Sequence, residues 1–112
     1  MNLMKIIQLN CTSVRNKKHQ IEQYLYTNEI SVVCLFETFL NPGEDFLIKN
    51  FHIVRSDRPS HGGGVAIAIN KQLKFKTLGI SSHTDSIEVC GVEVVTNHGP
   101  VVIHITYLLV ET

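Results

Sequence analysis

Residues 30–36 read Ile-Ser-Val-Val-Cys-Leu-Phe, a run nearly continuous in β-forming apolar side chains, and few folds accommodate it. A strand of that composition has to be covered on both faces, which makes it an interior strand of a layered structure. The residues ahead of it supply its neighbours. Residues 4–10 (Met-Lys-Ile-Ile-Gln-Leu-Asn) form a short apolar-rich run that reads as a strand. Ser13 is placed to cap a helix over residues 14–28. Within that helix Val14, Ile21, Tyr24 and Leu25 line one face, while Arg15, Lys17, Lys18, Gln20 and Glu22 turn to water. Strand, helix and buried strand in about 33 residues make a βαβ unit, with parallel strands and a right-handed crossover.

The remainder changes character. Asn41-Pro42-Gly43-Glu44-Asp45 is a turn or loop. Residues 51–55 form a short strand, and residues 56–64 a loop dense in Asp, Pro, Ser, His and Gly. Residues 65–69, Val-Ala-Ile-Ala-Ile, start a strand directly after three glycines. Residues 87–95 and 101–107 are two further strands, joined by Asn97-His98-Gly99-Pro100, which is good hairpin chemistry. No internal repeat, low-complexity stretch or linker interrupts the chain. The expectation is a single α+β domain over residues 1–112, with a mixed β-sheet of six or seven strands, a βαβ start and one clear helix.

Several classes drop out. No apolar run approaches the 18 residues of a membrane span. The first eleven residues are broken by Lys5, Gln8 and Asn10, too polar for a secretory signal core. Cys11, Cys34 and Cys90 are an odd, widely spaced set within apolar segments, read as buried free thiols of a reducing compartment. The six histidines show no metal-ligand spacing: His19 sits on the polar face of the helix, and His52 and His104 alternate within strands. Charge balances overall but not along the chain. All ten basic residues lie at or before Lys76, with six acids there, for a net +4; the stretch after it carries four acids and a net −4. That split has two readings, a first part facing a polyanion or ordinary solvated surface.

Two polar residues stand where strands end. Asn10 closes the first apolar run and Glu37 the second. Parallel strands of a βαβ unit deliver their carboxyl ends to one edge of the sheet, where ligand crevices form. An amide oxygen beside a carboxylate is a hard-oxygen pair suited to Mg²⁺ or Mn²⁺ rather than zinc. Gly62-Gly63-Gly64 lacks the Lys-Ser/Thr of a phosphate-binding loop, so it signals a backbone needing positive φ or close approach before a strand. Asp57-Arg58 is open between a local ion pair and a phosphate contact through Arg58.

At these positions the chain resembles a known superfamily. Lys5-Ile6-Ile7-Gln8-Leu9-Asn10-Cys11 followed by a helix with Asn16-Lys17-Lys18 resembles the start of the endonuclease/exonuclease/phosphatase superfamily. Residues 30–38, ending Leu35-Phe36-Glu37-Thr38, resemble its Pro-Asp-Ile-hydrophobic-Cys-Leu-Gln-Glu-Thr segment. Asp57-Arg58-Pro59-Ser60-His61-Gly62-Gly63-Gly64-Val65-Ala66-Ile67 is similar to the apurinic-type endonuclease domain of non-LTR retrotransposons of the jockey kind, encoded ahead of the reverse transcriptase. Ile87-Glu88-Val89-Cys90-Gly91-Val92-Glu93-Val94 and the strand ending at Tyr107 continue the similarity, which spans residues 3–107.

The resemblance implies a role for each matching residue. Glu37 would be the metal-binding glutamate, with Asn10 beside the metal holding Glu37 or the phosphate. Tyr107 would approach the scissile phosphate, while Arg58 is a candidate DNA contact on its own chemistry and not through the resemblance. The implied cofactor is Mg²⁺ or Mn²⁺ and the implied partner is DNA, one strand of which is nicked so that its 3′ end primes reverse transcription. The implied location is intracellular, nuclear or cytoplasmic, and not secreted. Leu9 replaces the usual Trp and Phe36 the usual Gln, and Leu108-Leu109 follows Tyr107 in place of Asn-Pro-Pro. The family's Gly-Asp-Phe-Asn and Ser-Asp-His segments do not occur. The expectation is therefore a truncated domain, about half of a four-layer α/β-sandwich of the DNase I-like type, with metal-dependent phosphodiester hydrolysis weak or lost. Its alternatives are a non-catalytic remnant that binds nucleic acid or protein weakly, and a phosphatase of small phosphate esters. Half a sandwich would supply about one sheet, with a bare inner face prone to self-association and marginal stability.

Overall fold

The computed structural model describes residues 3–57, 63–79 and 87–108. Over them the chain forms β1 (Ile6–Asn10), α1 (Lys18–Thr27), β2 (Val32–Phe36), β3 (Phe51–Ser56), β4 (Val65–Asn70), β5 (Lys74–Thr77), β6 (Ile87–Thr96) and β7 (Gly99–Leu108). β1 and β2 pair in parallel, Ile6 opposite Val32 through Asn10 opposite Phe36, with α1 as the crossover between them. β4 joins the other side of β2, antiparallel, and β3 pairs with β4, so the first sheet runs β1-β2-β4-β3. The α+β character, mixed sheet and βαβ start all follow the reading of the sequence.

β2 explains the layering. Val33 and Leu35 face α1, in a core with Val14, Ile21, Leu25, Ile30 and the two small residues Ala66 and Ala68 of β4. Val32 and Cys34 point the other way, as the strand period of two requires, alongside Val65, Ile67 and Ile69. That second face is not bare. It packs against Cys90, Val92 and Val94 of β6 and Ile105 of β7. These belong to a second antiparallel sheet, ordered β5-β6-β7. The single sheet with an uncovered inner face expected from the sequence is thus corrected to two sheets closed over a common core. The face expected to drive self-association is inside the molecule.

Other corrections are local. α1 begins at Lys18, a turn later than expected, and Ser13 is not its cap: no side chain caps α1, and Ser13 sits at φ 82°. Its amide is taken by the Glu37 carbonyl at 2.9 Å, so residues 12–14 follow the end of β2 instead of starting a helix. Tyr24 was expected on the inner face, yet it is 49% exposed. β5 has no counterpart in the expected strands. Only Phe75 in Lys-Phe-Lys-Thr is apolar, and the strand exists through its ladder to β6 and the Lys76–Glu93 pair at 3.2 Å. The β6–β7 turn is tighter than the four residues expected, because Gly99 and Pro100 already belong to β7. Proline is tolerated there since β7 is an edge strand. Asp57 pairs with Arg55 at 2.9 Å, whereas Arg58 lies outside the described residues.

The three cysteines are buried free thiols, as expected, and burial raises the pKa of each, that of Cys90 to about 11. Among the described residues no helix is long and apolar enough to cross a membrane. The loop after β2 is held to the segment before α1 by a two-pronged contact, Arg15 Nε to Glu44 Oε2 at 2.6 Å and Nη2 to Oε1 at 2.5 Å. The Arg15 hydrogen bonds, then the Asn41 amide at 3.0 Å, lower the Glu44 carboxyl to about 2. A lowered folded-state pKa means the contact is fully made above the ordinary carboxylate range and is lost as pH falls through about 2. A carboxyl-carbon NMR titration is expected to place the Glu44 midpoint near 2. In Arg15→Gln it should move back toward the ordinary value of about 4.3. A midpoint near 4 in the unsubstituted protein would contradict this contact.

Candidate metal centre

Asn10 ends β1 opposite Phe36, and Glu37 follows Phe36 directly, so the parallel pairing sets their side chains at one edge of the first sheet. Both strands then leave the ladder through left-handed backbone. Thr12 (φ 45°), Ser13 (φ 82°), Glu37 (φ 57°) and Phe39 (φ 59°) all occupy a region that costs non-glycine residues about 1–3 kcal/mol each. Such strain persists only where the surroundings over-determine the chain, and here they do. On one side the Phe36, Glu37 and Thr38 carbonyls accept from the amides of Cys11, Ser13 and Val14 at 2.8, 2.9 and 3.1 Å. On the other side the Thr38 and Phe39 amides donate to the carbonyls of Gly64 and Gly63 at 3.1 and 2.9 Å. The glycine run thus serves close backbone approach. A Cβ on Gly64, which sits at φ +90°, would lie 2.3 Å from Thr38 Oγ1.

The second sheet reaches the same place. Tyr107 of β7 stacks at a tilt on Phe36, with ring centroids 5.8 Å apart, and its hydroxyl donates to Glu37 Oε2 at 3.0 Å. Asn10 Nδ2 donates to that same oxygen at 2.6 Å. Asn10, Glu37 and Tyr107, singled out from the sequence, therefore meet on one carboxylate oxygen. Arg58 cannot be placed beside them because it lies outside the described residues.

Two neighbours escaped the sequence reading. Lys17 donates to the Cys11 carbonyl, and its charge lowers the Cys11 pKa while that of Glu37 raises it, so a cation and the carboxylate flank the same thiol. Glu88 is fully buried and accepts the Gly64 amide at 2.6 Å. It stands directly opposite Tyr107 in the β6–β7 ladder. The signal was present: alternation along β6 puts Glu88 on the face of Cys90, Val92 and Val94, where a solvated charge does not belong.

The donor set bears on what the centre can hold. No group of three or more His, Cys, Asp or Glu side chains gathers among the described residues. Glu37 Oε2 is occupied by two donors, while Oε1 takes no hydrogen bond from a described residue. The Asn10 amide spends its nitrogen on Glu37, which leaves its carbonyl as a further hard donor. A carboxylate fixed by outer hydrogen bonds and open at one oxygen suits Mg²⁺ or Mn²⁺, which keep most of their waters and take few protein ligands. No protein-family model matches the chain, and no curated protein matches it.

Proposed function

We propose that these residues are the metal-binding part of a retrotransposon-type endonuclease domain of the endonuclease/exonuclease/phosphatase superfamily, with Mg²⁺ or Mn²⁺ held by Glu37 and Asn10 and DNA as the partner. The observation that carries the reading is the convergence of Asn10 and Tyr107, from two different sheets, on Glu37 Oε2. Two facing sheets with a helix against the outer side of the first support its DNase I-like form. A bound divalent ion would supply neutralisation of charge developing on a phosphodiester. Glu37 would anchor it, Asn10 would orient Glu37, and the Tyr107 hydroxyl would hold the carboxylate and lie beside the phosphate. The Gly-Asp-Phe-Asn and Ser-Asp-His segments of the resemblance are not among these 112 residues. General acid/base catalysis contributes about 10²–10⁴-fold, so hydrolysis by these residues alone is slow.

Plasmid nicking with Mg²⁺ and with EDTA, beside Mn²⁺ binding followed by electron paramagnetic resonance, tests the proposal. The expected result is one bound Mn²⁺, lost in Glu37→Ala, with slow nicking that EDTA and Glu37→Ala both abolish. Mn²⁺ binding equal in the protein and in Glu37→Ala would sink it. The basic balance of the first part favours a second reading, DNA binding without cleavage. Salt-sensitive binding with no Mg²⁺-dependent nicking would select that reading.

A further inference from the structure

A fully buried carboxyl group is costly to desolvate, and an apolar side chain would fill the same place on the inner face of β6 more cheaply. There Glu88 accepts a hydrogen bond from the amide of Gly64 at 2.6 Å. Gly64 in turn accepts the Thr38 amide at 3.1 Å through its carbonyl, and Gly63 accepts that of Phe39 at 2.9 Å. Thr38 and Phe39 follow Glu37, whose own φ of 57° needs external restraint. A hydrogen-bonded route therefore runs from Glu88 in the second sheet, through Gly64 and Thr38, to the backbone of Glu37 in the first. Tyr107, opposite Glu88 in the ladder, holds the carboxylate end of the same residue.

We propose that Glu88 is a positioning residue: it fixes the Gly63–Gly64 backbone, and through Thr38 the peptide of Glu37, so that the Glu37 carboxylate is presented to an ion in one orientation. The β6–β7 ladder thus grips Glu37 at two points, its backbone through Glu88 and its carboxylate through Tyr107. The inference rests on the reading of Glu37 as the ion's carboxylate only for its consequence in metal binding; the geometric relay is tested without metal.

Two variants separate reach from charge. Glu88→Gln keeps an acceptor oxygen at the same reach, whereas Glu88→Asp keeps the carboxylate but is one methylene shorter. NMR of the metal-free full chain is expected to show the Thr38 amide and the Asn10 side-chain amide unmoved in Glu88→Gln and shifted in Glu88→Asp. The Gly64 amide should lose about tenfold or more of its protection from hydrogen exchange in Glu88→Asp alone. Mn²⁺ should bind about tenfold more weakly in Glu88→Asp and within about twofold of normal in Glu88→Gln, the usual scale for an outer partner of a metal ligand. Unmoved Thr38 and Asn10 signals in folded Glu88→Asp would overturn the inference. If Glu88→Asp does not fold, Glu88→Gln decides. Retained Gly64 protection with an unmoved Asn10 signal supports the relay, and lost protection with an unmoved Asn10 signal overturns it. Failure of the unsubstituted protein to bind Mn²⁺ would remove Glu37 as a ligand, and the metal-free signals would still decide whether Glu88 positions it.

Discussion

Gly64→Ala is expected to destabilise the protein by about 3–5 kcal/mol and to lower its melting temperature by about 15 °C. Two independent costs combine. At φ +90° any L side chain is strained, at about 1–3 kcal/mol. The new Cβ would also stand 2.3 Å from Thr38 Oγ1, whose residue is only 1% exposed. Overpacking of that kind costs a further 1–3 kcal/mol or so. Thr38 Oγ1 has no hydrogen-bond partner among the described residues, so Thr38→Ala alone should stay within about 1 kcal/mol of the unsubstituted protein. Combined with Gly64→Ala it should restore roughly half of the loss, because it removes the clash and leaves the backbone strain. A thermal melt of Gly64→Ala within about 3 °C of the unsubstituted protein would refute this account of the loop.

Ile67→Ala is expected to cost about 3–4 kcal/mol, within the range for removing most of a buried aliphatic side chain. Ile67 is completely buried at the centre of β4, between Cys34 of β2 and Val54 of β3. Its face meets Cys90, Val92 and Val94 of the second sheet. The size of the loss therefore measures whether the two sheets share a core. Were that face open to water, the truncation would cost well under 1 kcal/mol, as expected for Val95→Ala at a position 53% exposed. Urea unfolding of the two variants side by side gives the comparison.

The sequence made the first sheet legible because its signals are local. β2 announces itself as an apolar run, β4 as Val-Ala-Ile-Ala-Ile, and the parallel pairing of β1 with β2 follows from the helix between them. The alternation in β4 shows that Val65, Ile67 and Ile69 share a face, but alternation says nothing of what covers that face. The answer lies in β6 and β7, and the expectation of a bare sheet failed for that reason. β5 was illegible because its register is imposed by β6 rather than by its own composition. In the centre, Asn10 and Glu37 could be paired from strand geometry alone. Tyr107 could not, since its approach to Glu37 depends on how one sheet seats on the other; only the family resemblance pointed to it. Glu88 is visible in the period of β6, which sets it on the face of Cys90, Val92 and Val94.

The hydroxyl of Tyr107 and the carboxylate of Glu37 are 70 residues apart along the chain, against 27 for Asn10 and Glu37. Contacts at long separation wait on the closure of large loops and form late. During synthesis, which proceeds from the N-terminus, Asn10 and Glu37 can meet once β2 has left the ribosome. The phenol joins them only after the β6–β7 hairpin has been made and has docked. A nascent chain halted before β7 would carry the Glu37 side chain and its amide neighbour without the clasp, so the three residues come together only when the two sheets dock.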